Sequence, residues 1–228
     1  VVDDLSEASR LALRLAPAIG DDRVLAAIAS IPRERFVEGS LRDRAYANVA
    51  LPIPCGQTIS QPLVVARMLE LLELGPRDKV LDVGTGSGYH AALLALLADQ
   101  VYTIERHAEL AHAAQRTIRQ LGLDNVHFRI GDGWRGWEEA APFQAINVAA
   151  ATGAQPPPDL LEQLAPGGRL VAPVGRANQH LTLVRHDDGD FTETTLEGVR
   201  FVPLVREGEG ETQNVDVPPE DEEPSSWL

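Results

Sequence analysis

The stretch that decides the fold is Val80-Leu81-Asp82-Val83-Gly84-Thr85-Gly86-Ser87-Gly88-Tyr89. Residues 79–83 form a short apolar run that reads as a buried strand. The run enters a glycine-rich turn directly, and an Ala- and Leu-rich helix over residues 90–97 follows. Glycines here let the backbone turn tightly and approach a bound nucleoside with no Cβ in the way. An ordinary strand-to-helix turn uses the same residue types, so the surrounding sequence has to decide.

Downstream, strands and helices alternate. Strands are expected at 101–104, 126–130, 143–149 and 169–173, with helices at 108–121 and 159–164 between them. This rhythm argues for a doubly wound, Rossmann-like α/β sheet, mostly parallel and covered by helices on both faces. Three further strands with turn signals between them, at 181–185, 191–196 and 199–203, are expected to add an antiparallel C-terminal part. Upstream, residues 4–31 read as two helices. Leu5, Leu11, Leu13 and Leu15 mark the first, and the second is capped by Asp21 or Asp22 and ended by Pro32. Residues 47–62, punctuated by Pro52, Pro54, Gly56 and Pro62, read as a long loop of the kind that is often functional. Pro62 then suits the first turn of a helix to about Leu72, with Ser60 or Gln61 as its cap. The organisation expected is one domain over 1–205, made of N-terminal helices and loop (1–78), a cofactor-binding core (79–175) and C-terminal strands (176–205). An acidic tail over 206–228 follows.

Two carboxylates extend the loop into a pocket. Glu105 ends the next strand about 20 residues beyond the loop, where it can accept hydrogen bonds from both ribose hydroxyls. Gly131-Asp132-Gly133 follows the strand at 126–130. A carboxylate there can accept from an adenine amino group, and the glycines admit a flat ring. The plain alternatives are a solvated strand end and an ordinary turn. The loop spacing is G-x-G-x-G with a leading acid, which looks like the methyltransferase version of this turn. S-adenosyl-L-methionine has no pyrophosphate to cradle, but it has a cationic amino acid end, which Asp82 is expected to attract through water or backbone.

The chain has 228 residues and a net charge of −14. Residues 207–228 hold eight acidic residues and no Lys or Arg, which leaves −6 for the rest. Such a balance argues against phosphate neutralisation, and hence against a nucleic-acid partner. The tail, with Pro218, Pro219 and Pro224, is expected to be mobile. Cys55 is the only cysteine, which fits a reducing compartment. The acidic start does not read as a signal peptide, and the longest apolar run, 91–98, is too short to cross a bilayer. The expectation is a soluble, cytoplasmic protein with no membrane partner. The six His residues show no metal-ligand spacing, so no metal is expected. His107 is expected in solvent, Cys55 as a bystander, and Trp134 and Trp137 either at the adenine or in packing.

A longer match is more specific. The segment Asn48-Val49-Ala50-Leu51-Pro52-Ile53-Pro54-Cys55-Gly56-Gln57-Thr58-Ile59-Ser60-Gln61-Pro62 resembles the signature loop of the protein-L-isoaspartate O-methyltransferases. So do residues 31–37 (Ile-Pro-Arg-Glu-Arg-Phe-Val), 131–137 (Gly-Asp-Gly-Trp-Arg-Gly-Trp), 165–170 (Ala-Pro-Gly-Gly-Arg-Leu) and 200–204 (Arg-Phe-Val-Pro-Leu). The match spans roughly residues 22–205. The resemblance implies a methyltransferase sheet with extra segments at both ends. It also implies methyl transfer from S-adenosyl-L-methionine, leaving S-adenosyl-L-homocysteine, to the α-carboxylate of an L-isoaspartyl residue. The ester then closes to a succinimide, which hydrolyses partly to aspartate. Ser60 matches the family's active-site serine, with Gln57, Thr58, Ile59 and Ser60 as the substrate-binding run. Asp82, Gly84, Thr85, Gly86, Gly88, Glu105, Arg106, Asp132 and Gly133 form the cofactor set. A monomer acting on an isoaspartyl- or aspartyl-containing protein or peptide is implied.

This chemistry asks little of acids and bases. The carboxylate is ionised at neutral pH, its ordinary pKa being about 4, and the cofactor brings the activated methyl. Ser60 is therefore expected to orient a carboxylate, not to act as a nucleophile; as a structural residue it would cap the next helix. The chain departs from the family pattern at Gln144 and at Asn147-Val148-Ala149-Ala150-Ala151, positions expected near the carboxyl end of their strand and the active face. A relative that methylates a normal aspartate in a ribosomally made partner peptide, giving an aspartimide, is the second reading. A non-catalytic cofactor-binding module is the third, and the intact Asp82, Glu105, Asp132 and Ser60 speak against it.

Overall fold

The computed structural model describes residues 5–187 and 189–206; the acidic tail beyond Arg206, with its expected mobility, lies outside them. Two N-terminal helices, α1 (Glu7–Leu15) and α2 (Asp22–Ser30), come first. Ser6 caps α1, and Asp21 caps α2 by accepting from the Arg23 amide. Ala8, Leu11, Ala12 and Leu15 are buried, but Leu13 is 61% exposed. Leu13 sits two residues from each of its leucine neighbours, about 200° around the helix from them, so it faces water.

The expected long loop contains a hairpin. Strands β1 (Leu51–Ile53) and β2 (Gln57–Ile59) pair antiparallel, with Leu51 opposite Ile59 and Ile53 opposite Gln57. Each strand is only three residues long, and Pro52 masks the first. Helix α3 (Pro62–Leu71) follows with Pro62 in its first turn. Ser60 does not cap it. Gln61 occupies the cap position without a side-chain bond, and Asn48 Oδ1 accepts from the Leu63 amide at 3.0 Å.

The sheet has seven strands in the order β5-β4-β3-β6-β7-β8-β9. These are β3 (Lys79–Val83), β4 (Gln100–Glu105), β5 (Val126–Ile130), β6 (Phe143–Val148), β7 (Leu164–Val174), β8 (Gln179–Asp187) and β9 (Asp190–Val199). The first five in spatial order run parallel, and β8 and β9 add on antiparallel. Helices α4 (Tyr89–Leu97), α5 (Ala108–Gln120) and α6 (Pro158–Glu162) join the parallel strands. Two of the expected C-terminal strands are different in the structure. Strand β9 runs unbroken through Gly198, which pairs with His180, and a register shift separates that pair from Thr182 opposite Thr195. Among the described residues beyond Val199 there is only one bridge, from Pro203 to Ala151.

Alternation along the strands divides the core. Leu81, Val83, Ile146 and Val148 face one apolar cluster, with Leu160 of α6. Val80, Val101 and Ala145 face the other, with α3, α4 and the N-terminal helices. The strand order reverses between β3 and β6, so the β3-to-α4 turn and the β6 end open a crevice at the carboxyl edge of the sheet. Open α/β sheets bind ligands at such a switch point. No described helix is long and apolar enough to cross a membrane.

Candidate active site

The glycine turn is fixed to the sheet. Gly84 and Thr85 both donate their amides to the Ile104 carbonyl, at 2.9 and 3.1 Å. Gly84, Gly86 and Gly88 all have positive φ. At Gly88 a Cβ would stand 2.9 Å from the Ala114 Cβ, so α4 and α5 close tightly only over a glycine. Glu105, at the end of β4, is 6% exposed. Its Oε2 accepts from the Gly86 amide and its Oε1 from the His107 amide, both at 2.9 Å. Loop and carboxylate therefore hold one another, and each oxygen keeps a lone pair for a further donor.

Asp132 caps a short 3-10 turn, accepting from the Trp134 amide at 2.9 Å. It lines a hollow with Trp134, Arg135 and Glu138. Gly133 is required by packing, since a Cβ there would lie 2.6 Å from Val83 Cγ1. Trp134 donates to the Leu204 carbonyl and lies under the Arg206 guanidinium, 4.6 Å away. Trp137 packs edge-on against Tyr102. Arg106 is exposed at the strand end and makes no side-chain hydrogen bond among the described residues.

The hairpin closes over this edge. Thr58, Ile59 and Ser60 line one cleft with Gly84, Thr85, Gly86, Ser87, Tyr89, His90 and Ala149. A Cβ added to Gly86 would touch Ile53 Cδ1 at 3.7 Å, which places β1 directly against the turn. Gln57 is half-buried, and its amide nitrogen bonds back to the Cys55 carbonyl, away from that lining set. Ser60 is half-buried, and its hydroxyl makes no hydrogen bond among the described residues. Its carbonyl accepts from Arg33 at 2.8 Å.

The Asp82 side chain is not part of the cleft lining. It is fully buried, with Oδ2 accepting from Thr103 Oγ1 and Oδ1 from Asn147 Nδ2, both at 2.8 Å. Thr103, Asp82 and Asn147 are paired across adjacent strands β4, β3 and β6. They form a polar row inside the sheet, extended by Thr85 Oγ1 at 2.6 Å from Thr103 Oγ1. Asp82 thus supports the turn from beneath. Of the departing positions, Gln144 is away from the active face, Asn147 lies beneath the turn, and Ala149 lines the cleft. Gln144 sits at the amino end of β6 and accepts from the Lys79 amide, and Asn147 is fully buried. Sequence spacing could not reveal this row, because it exists only through cross-strand register.

Burial pushes the Asp82 carboxyl up to about 6, against the bonds from Asn147 and Thr103. A carboxyl that holds its proton more tightly folded than unfolded contributes stability at low pH. That contribution is complete below about pH 4 and is lost as pH rises through about 6. Asp82→Asn keeps the shape, an acceptor for Asn147 and a donor for Thr103, and removes the charge. Its urea-unfolding stability relative to the parent chain is expected to rise by roughly 2 kcal/mol from pH 4 to pH 7.5. A difference that stays constant with pH would show that this carboxyl does not titrate there. His90 is also buried, and burial followed by the nearby Arg33 charge pushes it down to about 4.

Among the described residues, no group of three or more His, Cys, Asp or Glu is gathered to hold a metal ion. Sequence reasoning passed over Arg33, Thr103 and Asn147 as site supports, and His90 as a cleft residue. A charged or polar side chain in mid-sequence reads as surface, and only the fold shows it buried.

Comparison with known proteins agrees with this geometry. The family model for protein-L-isoaspartate(D-aspartate) O-methyltransferases matches residues 10–209. The protein-L-isoaspartate O-methyltransferase of Serratia proteamaculans is 53% identical over 188 residues, 82% of this chain and 90% of that one. Its namesake from Pseudoalteromonas translucida is 54% identical over 82% of this chain and 88% of its own. A solved protein-L-isoaspartate O-methyltransferase superposes with a TM-score of 0.78 at 27% identity, covering 85% of this chain and 64% of that one. A Plasmodium falciparum structure described by the same enzyme name, in complex with S-adenosyl-L-homocysteine, also gives 0.78, at 25% identity over 89% of this chain and 100% of its own. Hairpin, glycine turn and sheet order together with these matches make the chain a member of the protein-L-isoaspartate(D-aspartate) O-methyltransferase family.

Proposed function

We propose that the chain, acting as a monomer, transfers a methyl group from S-adenosyl-L-methionine to the free α-carboxylate of L-isoaspartyl residues in damaged proteins or peptides. The observation that carries this reading is the single cleft lined by both Thr58-Ile59-Ser60 and the Gly84–Ser87 turn. A carboxylate held by the first segment would face a sulfonium held by the second. The residues fit the cofactor. Glu105 keeps lone pairs for ribose hydroxyls, the turn lies open at the switch point, and Asp132 stands at the end of the neighbouring strand. Gly84, Thr85, Gly86 and Gly88 shape the cradle, Gly133 lets β5's exit pack close, and Arg106 stands at the outer margin.

When bound, the cofactor supplies a methyl already activated by positive sulfur. The protein's part is alignment. The substrate oxygen forms a bond to the methyl carbon as the carbon–sulfur bond breaks, and no proton changes hands. The Ser60 hydroxyl, with Thr58 beside it, orients the carboxylate, while Ile59 and the hairpin exclude water. The ester then closes to a succinimide as the neighbouring backbone amide nitrogen displaces methanol, and hydrolysis of the ring returns some normal aspartate. Gln144 lies away from the cleft, Asn147 is buried beneath it, and Ala149 brings only a methyl group to its lining, so these positions give no support to a dedicated aspartyl substrate. Paired peptides test the reading. With labelled cofactor, an isoaspartyl peptide is expected to be methylated and its aspartyl twin to stay unlabelled. Labelling of the aspartyl peptide alone, or of neither, would defeat it.

A further inference from the structure

Arg33 is the largest fully buried side chain, with 0% exposure. Among the described residues no carboxylate lies within ion-pair distance of it. Its Nε donates to the Ala45 carbonyl and its Nη2 to the Ser60 carbonyl, both at 2.8 Å. Its guanidinium lies over the Tyr89 ring, 4.7 Å from the centroid. The third nitrogen, Nη1, is buried and makes no hydrogen bond. Burial lowers Arg33 only to about 10, with Tyr89 and Tyr46 opposing the shift, so it stays a cation at neutral pH. The nearby His90 is neutral there. The wall behind Ser60 therefore carries a positive charge with no carboxylate in contact with it; the Glu34 carboxylate stands off, accepting from Tyr46.

A buried cation without a counter-ion is costly, and an apolar replacement often serves stability as well or better. The arrangement makes sense if the missing anion is the substrate. We propose that Arg33 is a positioning residue for methyl transfer: it fixes Ser60 through its backbone carbonyl and lends the cleft the positive potential that favours a substrate carboxylate. In the low-dielectric wall this charge is screened far less than a surface arginine would be. It also opposes any second cation at that spot, so the cleft sorts the two reactants by sign, with the carboxylate toward Arg33 and the sulfonium toward Glu105. This inference rests on the reading of Ser60 as the group that holds the carboxylate.

Two variants divide the roles. Arg33→Gln keeps N–H donors and loses the charge; Arg33→Lys keeps the charge and loses the fork that spans two carbonyls. The probes are an isoaspartyl peptide and the same peptide with its free α-carboxylate converted to the carboxamide, titrated with S-adenosyl-L-homocysteine present. The parent chain is expected to prefer the acid. Arg33→Gln is expected to shrink that preference about tenfold, and Arg33→Lys to hold it within about twofold while kcat falls roughly tenfold. Both are expected to bind S-adenosyl-L-homocysteine within about threefold of the parent, which also reports that each has folded. A preference unchanged in Arg33→Gln, or a kcat unchanged in Arg33→Lys, overturns the proposal. A parent chain with no preference for the acid overturns the reading of Ser60 along with it, which keeps the two failures distinct.

Discussion

Glu105→Ala is expected to weaken S-adenosyl-L-homocysteine binding about 100-fold, close to 2.7 kcal/mol. The magnitude follows from what the side chain holds. Hydrogen bonds to a charged partner contribute about 1.5–3 kcal/mol each, and the variant loses any made to the ribose. It also releases the Gly86 and His107 amides, both at 2.9 Å, so the cradle loses its own brace. Glu105→Gln keeps one oxygen acceptor and is expected to fall between. Calorimetric titration reads both, and a dissociation constant for Glu105→Ala within about threefold of the parent would contradict the ribose assignment.

Ser60→Ala is expected to behave in the opposite way. Removing one donor aimed at reacting oxygen typically costs 10²–10³ in kcat, so a fall of roughly 100-fold is expected with cofactor affinity unchanged. The structure separates this effect from folding. The serine hydroxyl holds nothing in the protein among the described residues, and α3 is capped by Asn48 instead. Its carbonyl, which does carry a structural bond to Arg33, survives the substitution. Thermal melting should therefore move by no more than about 2 °C. Single-turnover methylation of an isoaspartyl peptide gives the rate, and parental activity would remove Ser60 from the chemistry.

How much of this was legible in the sequence varies by element. The β3 turn and α4 could be read because local pattern alone specifies them: an apolar strand, glycines where φ must be positive, then Ala and Leu. Glu105 followed from a spacing that strand–helix–strand geometry fixes. The hairpin did not, since three-residue strands carry almost no periodicity and Pro52 argues against them. Asp82 was read as acting on the ligand through water or backbone because its place in the motif is local, but the direction of its side chain depends on Thr103 and Asn147, 21 and 65 residues away. Arg33 was invisible for a similar reason. Its partners, Ala45 and Ser60, are 12 and 27 residues distant, and nothing in its own neighbourhood marks it as interior.

The interior holds one acid that clings to its proton and one imidazole that refuses one. Asp82 penalises the folded chain increasingly as acidity is relieved, whereas His90 penalises it increasingly as acidity builds from about pH 6.5 down to about 4. Over the same mildly acidic interval the two slopes run against each other. Either group alone would tilt the balance between folded and unfolded forms; over that interval their two contributions act as counterweights.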